Sequence, residues 1–596
     1  MWYVRCVGWS ALALFFWTAT AVGFFGWGVL CRFALRLPAP TRMRRTNTCL
    51  FGVCGTLLML QLAHCVVPVD ALMLGVWSIA GLAGAALGAG CLRARLRWGD
   101  RRAVVVPALV TAGMLYVAYS AMTEIPQSDP YHFVAIRWQQ AFPIVPGLAN
   151  LDGRLGFNNA SFLVHSLFST SFEEFGLTFC HGALYLILLS SGVHAVARSA
   201  ARRRVSLVDA CQMLTLCPLL VIGLDYRDTF AIANVSPDLT LFLLQIALVR
   251  SWVPAIHGLA SRRPGAICGE HLVLALLLAV ACVCTKLSSA VFSAVLIGMA
   301  AAFLVKNQTA PAWHRTLSWH RVIAALVVFA AIWAGRGIVL SGHPLYPSSA
   351  LAAPVEWRVA ETMRAEELKM IADWGRYAQP MPGADGPWLS DWCRRFYNIS
   401  WTNPPVFSNL GRSIFPVCLV LLGGVLWAGG VRSGHDDALW VPLFAAAGAS
   451  ALAVWFVTAP DPRFVVGIFY SMAIVFLAPV VCRLNRRQRG WLLGVLAATV
   501  GLVGLYDRGR AEYARQYSPG RVLATLLVPP PPNAAGRYAF PRPSLKEFRC
   551  DSGLTIYLCD YAWHAPLTTV ETLYTGWNNL RLRSSRLGFR AGFIRS

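Results

Sequence analysis

Residues 271–306 read HLVLALLLAVACVCTKLSSAVFSAVLIGMAAAFLVK, an apolar stretch interrupted only at Thr285-Lys286-Leu287-Ser288-Ser289. One helix crosses the hydrocarbon core of a bilayer with roughly 20 apolar residues. The stretch therefore holds either one long or broken helix or two spans joined by a tight turn. A lysine at membrane depth is costly and by default marks a function, although its long stem also lets it snorkel to the interface.

The same pattern recurs along the chain. About fourteen candidate spans of the required length fall near residues 9–30, 47–66, 71–91, 104–122, 175–196, 206–224, 239–257, 271–286, 288–305, 321–340, 412–430, 438–458, 464–482 and 490–506. Of the 596 residues, 57% are hydrophobic and 13% charged, too little polar surface for a soluble globule of this size. The expected fold is an all-α polytopic membrane protein. A net charge of +24 raises the question of nucleic acid, but no compact basic run is interleaved with aromatics as a groove binder requires. The first apolar run, residues 8–30, is too long for a signal-peptide core and lacks a small-residue cleavage site, so it reads as a span.

Arginine placement sets orientation, since short basic loops stay cytoplasmic. Arg32, Arg36, Arg42, Arg44 and Arg45 follow the first span, and Arg93, Arg95, Arg97, Arg101 and Arg102 the third. Arg198, Arg202, Arg203 and Arg204 follow the fifth, and Arg262 and Arg263 the seventh. Lys306 and Arg315 follow the ninth, Arg432 the eleventh, and Arg483, Arg486, Arg487 and Arg489 the thirteenth. Every odd-numbered span ends at a basic loop, which predicts an N-out, C-out topology. The loops 123–174, 225–238, 341–411 and 459–463 then lie outside the cytoplasm. The expected organisation is a membrane domain over 1–506 and an extracytoplasmic C-terminal segment over 507–596, small and α+β or irregular, led by the linker Pro529-Pro530-Pro531-Pro532.

Most of the seventeen cysteines lie in apolar runs, where they act as small hydrophobes. No C-x-x-C pair supports zinc or haem. Cys550 and Cys559 form a disulfide if their segment is outside, or remain two free thiols.

The outer loops hold the candidate chemistry. Asp129 and His132 stand one helical turn apart if the segment after Pro130 is helical. A carboxylate beside an imidazole serves as a general base toward a hydroxyl or as a metal ligand; a plain N-cap with a surface histidine is the simpler alternative. Arg137 and Arg154 suit bidentate pairing with phosphate or anchoring to headgroups. Asn158 suits a turn or a sugar hydrogen bond. Asp225, Asp228 and Asp238 bring carboxylates to the same surface, Asp238 equally as helix-start chemistry after Pro237. Lys286 and Arg336 lie toward the same leaflet and together suit a lipid phosphate. Tyr346 sits in the loop after Arg336. Asp461 and Arg463, between two prolines, suit either a rigid ion-paired turn or the site.

In combination, several segments resemble a family of bacterial polytopic membrane proteins of uncharacterised activity. They are Asp129-Pro130-Tyr131-His132, Ile136-Arg137-Trp138, Val145-Pro146-Gly147-Leu148-Ala149-Asn150 and Arg154-Leu155-Gly156-Phe157-Asn158. Gly342-His343-Pro344-Leu345-Tyr346-Pro347, Ala459-Pro460-Asp461-Pro462-Arg463-Phe464 and the tail from Leu554 to Trp563 complete the set. Asn158-Asn159 and His343 depart from the pattern. The layout is also similar to the C-type (GT-C) membrane glycosyltransferases, whose first large outer loop carries an acidic catalytic base or metal ligand and whose donor is a polyprenyl-phosphate-linked sugar. That likeness is one of architecture, and Asp129 falls where it places the acid. It implies a bacterial inner-membrane enzyme of cell-envelope polysaccharide or glycolipid assembly, with a saccharide or lipid acceptor and no nucleic acid. Asp129 would act as base with His132 beside it. Arg137, Arg154, Asn158, Asp228, Asp238, Lys286, Arg336, Tyr346, Asp461 and Arg463 would bind substrate. A divalent cation is compatible, but no compact ligand set demands one. A flippase of a lipid-linked saccharide, or a polysaccharide polymerase or ligase, is the alternative.

Overall fold

The computed structural model describes residues 2–37, 45–92, 102–121, 130–170, 180–200, 202, 204–224, 232–260, 266–306, 317–377, 387–397, 410–430, 437–516, 546–558, 568–569 and 579–595. Its helices are α1 (Trp2–Ala34), α2 (Arg45–His64), α3 (Ala71–Leu92), α4 (Arg102–Ala121), α5 (Pro130–Ala141), α6 (Ser161–Ser169), α7 (Gly182–Ala200), α8 (Leu207–Leu214), α9 (Leu216–Leu224) and α10 (Pro237–Ala260). The remaining helices are α11 (Ala266–Thr285), α12 (Ala290–Lys306), α13 (Trp319–Ser341), α14 (Glu361–Tyr377), α15 (Leu389–Tyr397), α16 (Ile414–Gly430), α17 (Asp437–Thr458), α18 (Val466–Arg483) and α19 (Arg486–Gln516). Among the described residues, eleven helices are long and apolar enough to cross a membrane, and three shorter apolar helices cover Val104–Ala118, Leu207–Gly223 and Ile414–Gly429. Every apolar run identified in the sequence carries one of these helices, and the chain is an all-α polytopic membrane protein.

Residues 271–306 resolve into two helices. Lys286 is extended (φ −157°, ψ 128°) and leads into a 3-10 turn, Leu287–Ser289, before α12. The Trp252 indole of α10 donates to Leu296 O of α12 at 3.5 Å, and Gln245 of α10 reaches Ser289 at 3.3 Å, so α12 runs parallel to α10 and turns back from α11. The sixth run is broken into α8 and α9. Pro218 offers no N–H to Leu214 O, and the Thr215 hydroxyl donates instead to Gln212 O at 2.7 Å. The last span runs on as α19 to Gln516, beyond the expected domain edge at 506. There the Asp507 carboxylate accepts from the amides of Leu410 and Gly411, both at 2.7 Å, and ties the helix to the start of α16.

With no hydrophobic drive between helices in lipid, small residues permit the close packing that holds them. A Cβ at Gly26 of α1 would stand 1.7 Å from Gly81 O of α3, and one at Gly52 of α2 would stand 1.7 Å from Phe24 O.

Among the described residues, basic span ends meet one another. Arg489 donates to Arg202 O at 3.1 Å, Arg321 to Ala34 O at 2.9 Å, and Arg32 pairs with Glu270 at 3.1 Å. At the opposite end, the segments after even-numbered spans form a cap. Strands β1 (Lys546–Arg549), β2 (Thr555–Leu558) and β3 (Thr568–Thr569) make one sheet, and β4 (Leu580–Leu582) and β5 (Phe593–Arg595) an antiparallel pair. Phe593 N donates to Pro146 O at 3.0 Å, Arg595 Nε to Asn150 O at 2.9 Å, and Asn150 Nδ2 to Trp357 O at 2.8 Å. Phe133, Trp138, Leu148, Val235, Leu340, Ile556 and Phe593 share one apolar cluster beneath. Cys550 is buried in that cluster, and Cys559 lies outside the described residues.

Candidate functional site

Asn234-Val235-Ser236-Pro237-Asp238 is a compact helix start. Asn234 Oδ1 accepts from Ser236 N at 2.7 Å, Ser236 Oγ accepts from Asp238 N at 3.2 Å, and proline occupies the first turn of α10. Asp238 is thereby fixed at the cap end of α10 with its side chain 4% exposed. Lys286 Nζ donates to Asp238 Oδ1 and sits 3.9 Å from the centre of the Phe464 ring.

The turn 459–463 supplies the other half. Asp461 Oδ1 caps the amide of Arg463 at 3.0 Å, while Asp461 Oδ2 pairs with Arg463 Nε at 2.7 Å; the same Nε lies 3.9 Å from Asp238 Oδ2. The Trp455 indole donates to Asp461 O at 2.8 Å and the Trp392 indole to Pro460 O at 2.6 Å, so α17 and α15 hold the turn from both sides. Gly375 of α14 packs so closely on it that a Cβ would stand 2.8 Å from Ala459 C. Burial raises the Asp461 carboxyl above its ordinary range, with Arg463 opposing the shift. Burial likewise lowers the Lys286 ammonium, with Asp238 opposing. Two buried carboxylates and two half-buried cations from three separated segments thus share one site.

His132 is buried in the first turn of α5, and its ring stands 5.3 Å from that of Phe162. Behind it, the rings of His165 and His181 are 4.7 Å apart, and His181 Nε2 meets Thr240 Oγ1 at 2.7 Å. Burial holds His165 well below the usual imidazole range. Sequence reading missed His165, His181 and Thr240. The available signal was two histidines embedded in apolar sequence near the outer loops.

The other predicted residues separate from this cluster. Arg336 Nη1 meets His64 Nδ1 at 2.8 Å and its Nε donates to Asn158 Oδ1 at 3.3 Å, while Asn158 Nδ2 donates to Trp333 O at 2.7 Å. Asn158 has φ +52°, the turn conformation that asparagine tolerates. Arg336 thus braces a turn beside a small cavity of about 30 Å³, and does not join Lys286. The two sites adjoin where Ala160 N donates to Cys284 O at 2.9 Å. Arg137 donates to Gln140 at 3.0 Å. Arg154 lies 5.3 Å over the Tyr131 ring, and Tyr346 is buried with its ring 6.1 Å from that of Phe157. Asp129, Asp225 and Asp228 lie outside the described residues. Among the described residues, no three His, Cys, Asp or Glu side chains are grouped to hold a metal ion.

A second buried polar cluster, also unforeseen, lies at the basic end. Glu270 pairs with Arg32 and accepts from Asn47 at 3.0 Å, and Asn47 Oδ1 accepts from the fully buried Arg250 at 3.0 Å. No curated protein and no solved structure matches the chain. Residues 11–470 match a family described as a domain of unknown function, DUF8201, and the chain, with its helical bundle and charged cap site, belongs to that family.

Proposed function

We propose that this protein is a glycosyltransferase of the bacterial inner membrane, with a GT-C-like architecture and N-out, C-out topology. It takes its sugar from a polyprenyl-phosphate donor at the extracytoplasmic face, in cell-envelope polysaccharide or glycolipid assembly. The observation that carries this reading is the convergence of the buried Asp238 and Asp461 with the half-buried Lys286 and Arg463 on one site at the end of the bundle away from the basic span ends. Lys286 and Arg463, 21% and 28% exposed, stabilise charge developing on a leaving phosphate more than fully solvated cations do. Asp238 and Asp461 keep Lys286 and Arg463 aligned, and the phosphate competes with them for the cations. Asp461, shifted by burial toward its neutral form, is the weaker competitor. Asp129, which immediately precedes α5 in sequence, deprotonates the acceptor hydroxyl as it attacks the anomeric carbon, and His132 positions it.

Undecaprenyl phosphate and undecaprenol serve as paired probes, with retention on the purified full-length protein read by native mass spectrometry. The phosphate should be retained over the alcohol, and Lys286→Met or Arg463→Gln should weaken it about 10–100-fold, the worth of one charged hydrogen bond. Asp129→Asn should keep the lipid and abolish sugar transfer in membranes. Equal retention of phosphate and alcohol would refute the phosphate site. The buried Arg32, Asn47, Arg250 and Glu270 cluster at the opposite end favours a second reading, transport of a lipid-linked saccharide. That reading requires Asp129→Asn to leave net movement of the lipid across proteoliposomes intact.

A further inference from the structure

The short helix α15 is amphipathic, and its position relative to the membrane follows from what it packs against. Trp392 and Phe396 are buried, while Arg394, at 71% exposure, and Cys393 face outward. The buried face lies on the last turn of α17: Trp388 stands 5.5 Å from Phe456, and Trp392 5.8 Å from Phe456 and 6.1 Å from Trp455. That turn ends the apolar span Leu439–Thr458, and its outer flank still presents Val454 and Val457, 43% and 68% exposed. Helix α15 therefore lies at the level where hydrocarbon gives way to headgroups, the depth at which tryptophans concentrate.

The charge at this level is positive. Arg394 and Arg395 share the helix with Asp391, which pairs with Arg394 at 3.2 Å. Arg376, at the end of α14, lies 5.7 Å over the Trp388 ring and donates to Val457 O at 3.3 Å. Among the described residues, with Lys369 and Asp373 of α14 paired to each other at 2.7 Å, three arginines stand against one aspartate beside the lipid-facing end of a span, an excess that matches a layer of phosphates. We propose that α15 and Arg376 form a docking face for anionic phospholipid headgroups of the leaflet at the cap end. Because the Trp392 indole holds Pro460 O, this face is bolted directly to the turn that carries Asp461 and Arg463. The docking face is independent of whether that site transfers sugar.

A fluorophore on Cys393 tests the proposal, with Cys393→Ser as the background to subtract. The full-length protein is placed in nanodiscs of phosphatidylcholine titrated with phosphatidylglycerol, and quenching by headgroup-nitroxide lipid is measured. Quenching should rise with the phosphatidylglycerol fraction and fall back in high salt. Arg394→Gln/Arg395→Gln should weaken the association about 30-fold, from roughly fivefold per surface arginine, and Arg394→Lys/Arg395→Lys should retain it. Quenching indifferent to phosphatidylglycerol, or a neutralised double variant that titrates like the native protein, would overturn it.

Discussion

Breaking the Asp238–Lys286 pair from either side should cost as much as removing it whole. The two side chains are 4% and 21% exposed, so neither charge is well hydrated when its partner goes. Lys286→Met leaves Asp238 with the Ser236 hydroxyl at 3.3 Å and Arg463 at 3.9 Å, the latter already engaged by Asp461. Asp238→Asn leaves Lys286 over the Phe464 ring with no carboxylate in direct contact through Asp238. Removing one partner of a buried ion pair costs about 3–5 kcal/mol. Arg463 on one side and the aromatic face on the other hold each single variant near the lower figure, about 3 kcal/mol. The double variant loses both charges together and should cost no more than either single, which makes the coupling energy about 3 kcal/mol, roughly 160-fold. Unfolding of the three variants and the native protein in mixed micelles, titrated with dodecyl sulfate and followed by tryptophan fluorescence, measures the cycle. Single costs that add to within about 0.5 kcal/mol would mean the two residues are independent, and the shared site as described would be wrong.

Three further outcomes follow from the geometry. Below its raised pKa the Asp461 carboxyl is neutral and releases Arg463, and above it the carboxylate holds the guanidinium. Retention of undecaprenyl phosphate should thus tighten as pH falls through that pKa, relative to an Asp461→Asn protein in which only the lipid titrates. Arg336→Gln removes the bonds to His64 and Asn158 and should cost about 1.5–3 kcal/mol of stability, the worth of hydrogen bonds to a charged group. The same variant should shift retention of the phosphate lipid less than about twofold, well inside one charged hydrogen bond; a tenfold loss would return Arg336 to the substrate site. Gly147 has φ +64°, and a Cβ there would stand 2.2 Å from Phe593 O. Gly147→Ala should cost at least about 1–2 kcal/mol from the left-handed conformation alone and loosen the C-terminal strands, read as faster proteolysis within 546–595.

Hydrophobic runs of bilayer length and the alternation of basic loops determined by themselves that this chain is a helical membrane protein, and which loops share an end. Both are local properties: a helix satisfies its own backbone in lipid, and loop charge acts segment by segment. Lys286 was likewise legible, because a lysine between two apolar runs is expensive wherever the helices lead. Partnership was not legible. Nothing in the chain distinguishes Lys286, which meets Asp238 of α10, from Arg336, which meets Asn158 and His64 and serves a turn. His165 and His181 in apolar sequence look like isolated polar residues until α6 meets the start of α7, as do Arg250 and Glu270 until α10 and α11 pack against Asn47 of α2. Contacts between residues 48 to 225 positions apart depend on which helices are neighbours, and only the packed bundle decides that.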